Sequence, residues 1–287
     1  MDGFLFVDKA PGPTSFDVVR QVRRLLGGVK TGHAGTLDPL ASGLLICAVG
    51  NATRLLPYVP AEPKRYAFGM TFGAETDTLD SEGAVVARGG RVPGGSEVEE
   101  ILARFSGALS QVPPKFSAVN VGGERAYRLA RKKRDFHLAP RTITVFSLAL
   151  TAFDEAAGDA ALDVTCSGGT YVRSLVKDIA GALGTLAYAS RIRRLAIGPF
   201  TVDNAVPLDT LTADAGRRVM PVRQALAALP AVTVNVEQCG ALAMGRNIRL
   251  DIADKTVIAY GENGEVAAVL SKGDEGSFHP TKVFVRR

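Results

Sequence analysis

The stretch Thr31–Gly43, followed by an apolar run from Leu44 to Val49, constrains this chain more than any other. Gly32 and Gly35 permit close backbone approach or positive φ. Pro39 disfavours helical geometry at Asp38 and pushes it towards an extended conformation. The apolar run that follows is too short for a helix and reads as a buried strand. An acid is therefore held at a defined angle on a Gly-rich loop at the start of a buried strand.

The flanking sequence extends the pattern. Met1 to Lys9 reads as a first strand, ended by Pro11-Gly12-Pro13. Thr14 opens a helix, with Asp17 three residues on as an approximate capping box. Phe16, Val19, Val22 and Leu26 form its apolar stripe, widened by Val18 and Leu25, and Gly27-Gly28 stops it. Lys64 to Phe72 is a strand with Tyr66, Phe68, Met70 and Phe72 on one face. Residues 75–83 and 88–96 read as loops, and a helix follows to about Phe105. Ile143–Phe153 and Ala161–Cys166 are further strands. Gly168-Gly169-Thr170 leads into a helix with Val172, Leu175, Val176, Ile179 and Leu183 on one face. A linker falls near Pro230. Beyond it, Val232–Val236, Thr256–Tyr260, Glu265–Leu270 and Lys282–Val285 read as short strands, with Glu262-Asn263-Gly264 as a hairpin turn.

Composition narrows the class. The chain has 287 residues, 46% of them hydrophobic and 22% charged, which fits a folded globular protein of about two domains. No apolar run approaches the roughly 18 residues of a membrane span, and the order of charges at the N-terminus is wrong for a signal peptide. Cys47, Cys166 and Cys239 are odd in number and far apart, the pattern of free thiols in a reducing cytoplasm. His33, His137 and His279 are equally scattered, and no Cys/His spacing suggests a metal site. None of the 31 glycines precedes a lysine, which excludes a P-loop. Net charge is +5, and it is concentrated. Residues 115–141 hold eight basic and two acidic residues, whereas residues 231–287 hold seven of each. A local excess of this kind suits a polyanion. The run Arg125, Arg128, Arg131, Lys132, Lys133 and Arg134, around a short helix near 124–133, is either a phosphate grip or a solvated charged face.

Individual residues each admit two readings. Asp38 is a turn acid accepting a backbone hydrogen bond, or a carboxylate held for chemistry, with His33 in the same loop. A carboxylate used as a nucleophile must be ionised and supported by a cation. Arg173 opens a helix off its apolar stripe, and is either that cation or a solvent-facing arginine. Tyr66 is core packing or an aromatic platform, and Tyr171 stands at a helix start where either reading is fair.

The ordered set of motifs resolves into a resemblance. Gly32-His33-Ala34-Gly35-Thr36-Leu37-Asp38-Pro39-Leu40-Ala41-Ser42-Gly43 resembles the central motif of the tRNA pseudouridine synthase B (TruB) family. Lys64-Arg65-Tyr66, Thr76-Asp77-Thr78 with Asp80 and Gly83, Gly169-Thr170-Tyr171-Val172-Arg173, and Arg193-Arg194-Leu195 match in order. The likeness covers about residues 4–200. Residues 230–287 resemble the small PUA RNA-binding domain only in size, position and strand content.

The resemblance implies an α/β (α+β) fold. Its parts would be a mixed, mostly antiparallel sheet with packed helices, a basic insertion at about 111–141 within a catalytic domain at 1–229, and a small β-rich domain at 230–287. It implies isomerisation of uridine 55 in the T loop of tRNA to pseudouridine, with no cofactor and no metal, by a cytoplasmic protein acting as a monomer away from membranes. Asp38 would be the catalytic aspartate, as nucleophile towards ribose C1′, in attack on the base, or in removal of the C2′ proton. Arg173 would be its partner, and Tyr66 would stack on the flipped uracil and help remove the C5 proton. Tyr171 and Ile192 would line the pocket, and His33 would stack in the T loop. Arg193 and Arg194 would join the basic insertion in holding RNA. A catalytically inert RNA-binding or chaperone protein of the same fold is the alternative reading. A flipped base must leave its stack at a cost of a few kcal/mol, and an aromatic platform, an acid by the sugar and a gap-filling ring answer that need.

Overall fold

A computed structural model describes residues 1–212 and 214–285 of the chain. Its first strands explain their own composition. Strand β1 (Gly3–Lys9) pairs antiparallel with a strand at Ser42–Val49. Leu5, Val7, Leu45 and Cys47 face one core cluster, and Phe4, Phe6, Leu44 and Ile46 face another. Both faces are covered, so the run is continuously apolar rather than alternating.

Helix α1 (Ser15–Leu25) begins with the expected capping box between Thr14 and Asp17. Val18, Val19 and Val22 are buried, but Phe16 is 63% exposed. At 100° per residue Phe16 lies about 120° from the centre of the buried stripe, so the expected stripe is corrected there. The segment expected to be wholly loop opens with strand β2 (Thr31–Ala34), which pairs with the strand at 42–49, here β3. Strand β4 (Lys64–Phe72) buries Tyr66, Phe68, Met70 and Phe72 on one face, as its alternation predicts.

Short strands at Ala74–Thr76 and Val85–Arg88 pair where loops were expected. Helix α2 (Gly95–Leu102), strand β5 (Gly107–Gln111), a two-stranded turn at 120–125 and helix α3 (Ala126–Arg131) follow. Strands β6 (Arg141–Asp154) and β7 (Asp159–Cys166) form a long hairpin, and helix α4 (Val172–Ala182) packs its apolar face onto the sheet. Strand β8 (Ala187–Ile197), unanticipated in the sequence, inserts between β3 and β4, parallel to the first and antiparallel to the second. With β9 (Val206–Pro207) the order across the eleven-stranded sheet is β9-β1-β3-β8-β4-β7-β6-β5, mixed and mostly antiparallel.

A second, five-stranded sheet begins at β10 (Ala231–Val234) and continues through β11 (Ile248–Arg249), β12 (Thr256–Gly261), β13 (Val266–Lys272) and β14 (Ser277–Val283). Helix α5 (Val236–Ala243), capped by Asn235, follows β10 at the point where a strand was expected to run on to Val236. This sheet has its own core around Val257, Leu270 and Phe278. Its Ile258, Tyr260 and Val269 also pack in the cluster that holds Phe4 and Ile46. The last two residues of the region expected to form a C-terminal domain lie outside the described residues.

The parallel contact between β3 and β8 sets Gly43 against Arg194, where φ is +99° and a Cβ would stand 2.2 Å from the Arg194 carbonyl oxygen. Gly43→Ala should therefore lower stability by at least about 2 kcal/mol, read from urea unfolding. A variant that unfolds with the wild type would show that this strand contact is slack.

Candidate active site

The loop after β2 is fixed from three sides. The Ser15 hydroxyl accepts from the Leu37 amide at 2.8 Å and donates to the Leu37 carbonyl at 2.9 Å. The Gly12 amide donates to the Pro39 carbonyl at 2.9 Å. The fully buried Lys9 ammonium donates to the carbonyls of Ala10, Pro13 and Pro39 at 3.0, 2.8 and 3.1 Å. From beneath, Arg194 donates to the carbonyls of Gly35, Thr36 and Leu44. Arg194 is 1% exposed, so its expected place in RNA holding is corrected: its charge is taken up by the underside of the loop and cannot reach a phosphate.

On this support Asp38 turns into a cleft of about 690 Å³. Its side chain is 38% exposed and pairs with the Arg173 guanidinium at 2.8 Å. Arg173 is 3% exposed and so is not the solvent-facing helix arginine. It also donates to the carbonyls of Thr78 at 2.8 Å and Phe116 at 2.9 Å, and lies 3.4 Å from the carboxylate of buried Asp80. Asp80 in turn accepts from the Thr78 hydroxyl at 2.6 Å and the Glu82 amide at 3.2 Å. One buried cation thus joins α4 to three loops. Removing Arg173 would leave the buried Asp80 carboxylate without its cation, at about 3–5 kcal/mol.

The cleft walls carry the other expected residues. Tyr66 is 7% exposed, and burial raises its pKa, so its hydroxyl stays protonated at neutral pH. Ile192 on β8 lies beside it, opposite Phe68 in register. Tyr171 is half-buried, its backbone fixed by the side chain of buried Gln111. His33 is half-buried, and burial, then Arg194, lowers its pKa. Asp38, Arg173, Tyr66, Tyr171, Ile192 and His33 all border one cavity.

The basic residues divide. Arg131 borders the cleft, and Arg128 and Arg131 lie over the Tyr127 ring at 5.9 and 5.8 Å. Arg125 is turned to the Ala118 carbonyl. Lys132 and Arg134 share Glu124 at 2.5 and 3.9 Å, whereas Lys133 is exposed. Arg193 does not face the cleft cluster: both its terminal nitrogens bond Asp8, at 3.0 and 2.7 Å.

Four residues carry weight that their sequence positions did not disclose. Asp80 sits in a polar turn and reads like any turn acid. Lys9 ends a strand and reads as its exposed terminus. Lys64 borders the cleft, and burial lowers its pKa. Ser117 borders it too, 5% exposed, and its hydroxyl is one of two buried side-chain polar atoms without a hydrogen-bond partner among the described residues. The other is His33 Nδ1.

The pKa of Lys9 is lowered to about 8 from an ordinary 10.5, chiefly by burial. Between those values the unfolded chain binds a proton that the folded chain has released. Stability from this group therefore rises with pH across that window and is lowest below it. Lys9→Met should flatten the rise, by at most about 3 kcal/mol, when urea unfolding just below pH 8 is compared with unfolding near pH 10. Equal slopes in the two proteins would refute this.

Known proteins match this architecture. Residues 23–172 match the family model described as TruB family pseudouridylate synthase (N terminal domain). The chain is 40% identical to tRNA pseudouridine synthase B of Roseobacter denitrificans, over 99% of this chain and 95% of the relative. It is 42% identical to the protein of that name from Gluconacetobacter diazotrophicus, over 99% and 97%. Among solved structures, a Cbf5–Nop10–Gar1 complex contains a chain that superposes with TM-score 0.73 at 25% identity, covering 99% of this chain and 85% of that one. The chain belongs to the TruB family of pseudouridylate synthases.

Proposed function

We propose that this TruB-family chain isomerises uridine to pseudouridine in the T loop of tRNA, at position 55, with Asp38 as the nucleophile. The observation that carries the reading is the pair of half-open Asp38 and buried Arg173. The guanidinium holds the carboxylate aimed, while the cleft leaves it reachable. The relatives named above are called tRNA pseudouridine synthases, which supports tRNA as the substrate.

The reaction balances within the nucleotide. Asp38 attacks ribose C1′ as the C1′–N1 bond breaks. The freed uracil turns against Tyr66, Tyr171 and Ile192, then bonds C1′ through C5 as the Asp38–C1′ bond breaks and the carboxylate is released. The C5 proton is then lost and N1 takes one up, the Tyr66 hydroxyl relaying a proton by accepting one at its oxygen as it gives up its own. Nothing is oxidised or reduced. The uridine enters by leaving its stack, and the His33 ring stands where it can fill the gap.

The same reading divides the chain into a catalytic unit at 1–229 and a small β-rich RNA-binding unit at 230–287. The new sheet that begins at Ala231 and its separate core support the division. The same reading has the chain act as a monomer, in the cytoplasm where tRNA is found.

Asp38→Asn should abolish release of tritium from C5-labelled uridine in tRNA while tRNA binding persists. More than about a tenth of wild-type turnover, a loss below ~1.4 kcal/mol, would remove Asp38 from the chemistry. An inert RNA-binding protein would release no tritium even as wild type.

Within the run from Arg125 to Arg134, Arg128, Arg131 and Lys133 are left to meet phosphates, since Arg125 is turned to the Ala118 carbonyl and Lys132 and Arg134 share Glu124. Replacing those three with Ala should lower the log–log salt slope of tRNA binding by roughly 0.7–0.9 for each phosphate no longer neutralised. Replacing Lys132 and Arg134 should change it less. If the second pair flattens the slope more than the first three, the assignment is reversed.

A further inference from the structure

The outer rim of the cleft has a feature the isomerisation does not use. Phe16 borders the cleft yet leaves 63% of its surface in solvent. A single exposed phenylalanine is ordinary on a protein surface, but this one is held in place. It follows Ser15, whose hydroxyl bonds both backbone groups of Leu37, the residue before Asp38. It stands in the first turn of α1, fixed by the Thr14–Asp17 capping box. One helical turn on, the Arg20 guanidinium lies over its ring, 5.5 Å from the centroid, and is itself bonded to Asp17. The ring is thus backed by a cation on one side and open on the other.

A second lining residue repeats the construction: Tyr127 borders the cleft with the Arg131 guanidinium over its ring. An aromatic ring backed by arginine is the sequence-tolerant platform on which unpaired nucleobases stack. A ring held still before binding loses little entropy when a base settles on it.

We propose that Phe16 is an RNA-stacking residue whose open face receives an unpaired nucleobase next to the uridine that enters the cleft. The inference rests on the functional reading above, since it takes tRNA as the RNA. Phe16 is a binding residue only, because its side chain carries no acid, base or nucleophile.

The test is binding and steady-state turnover of a T-arm stem-loop RNA by the wild type, Phe16→Ala, Phe16→Leu and Phe16→Tyr, each also with RNAs made abasic at one loop position beside the target. Phe16→Ala should weaken binding about five- to hundredfold, raise KM in step and leave kcat within about twofold. Phe16→Leu, apolar but without a ring face, should behave like Phe16→Ala, and Phe16→Tyr like wild type. At one loop position the abasic RNA should weaken wild-type binding and make no further difference to Phe16→Ala. Phe16→Ala binding within twofold of wild type, Phe16→Leu matching wild type, or additive losses at every loop position would each overturn the inference alone. A wild type that neither binds nor isomerises the stem-loop would overturn the functional reading as well.

Discussion

Arg173 stands in the first turn of α4, where the helix dipole opposes a positive charge. It is also almost wholly buried, which costs a charged group several kcal/mol unless it is paired and hydrogen-bonded. Two carboxylates and two carbonyls meet that demand, and they come from the Asp38 loop, the 78–80 turn and the segment at Phe116. The guanidinium fork suits this, because its donors are fixed in a plane and can serve four acceptors at once. A lysine at this position would have three donors and no plane. The geometry of the site therefore follows from satisfying one cation: each loop is placed by the oxygen it must deliver.

The same logic ties the basic insertion to the chemistry. Phe116 gives its carbonyl to Arg173, and the next residue, Ser117, gives its carbonyl to the Tyr127 amide at the start of α3. Val119 receives the Ala126 amide. The segment between Arg173 and the arginines of α3 is thus short and hydrogen-bonded along its length. Phosphates gripped by α3 would be held at a fixed distance from Asp38, which is what positioning a substrate atom requires.

Much of this is legible in the sequence, for physical reasons that can be named. Asp38 is visible because Pro39 restricts its backbone and the glycines before it allow the loop a path other residues could not take. The β4 face is visible because it alternates without interruption. Strand β8 is not, because bulges between Ala189 and Arg191 and between Arg194 and Ala196 shift its alternation twice. Arg194 compounds this by facing inward, where an apolar residue would have marked the strand. Phe16 misleads the helix reading because an apolar side chain in a first turn looks like part of a stripe until the angle is followed round. Asp80 and Lys9 are hidden because their partners lie far off in sequence, and no local pattern records a backbone carbonyl 30 residues away.

The two unpartnered buried polar atoms, His33 Nδ1 and Ser117 Oγ, belong to residues that border the cleft, one on β2 and one on the segment leading to α3. A buried hydroxyl left unbonded costs about 1–3 kcal/mol, and elsewhere among the described residues the chain avoids that cost. Backbone groups near the site are paired two at a time: Ser15 serves both groups of Leu37, and Gln111 both groups of Tyr171. The fold satisfies neighbouring groups so fully that its two exceptions stand apart, and both residues border the same cleft as Asp38.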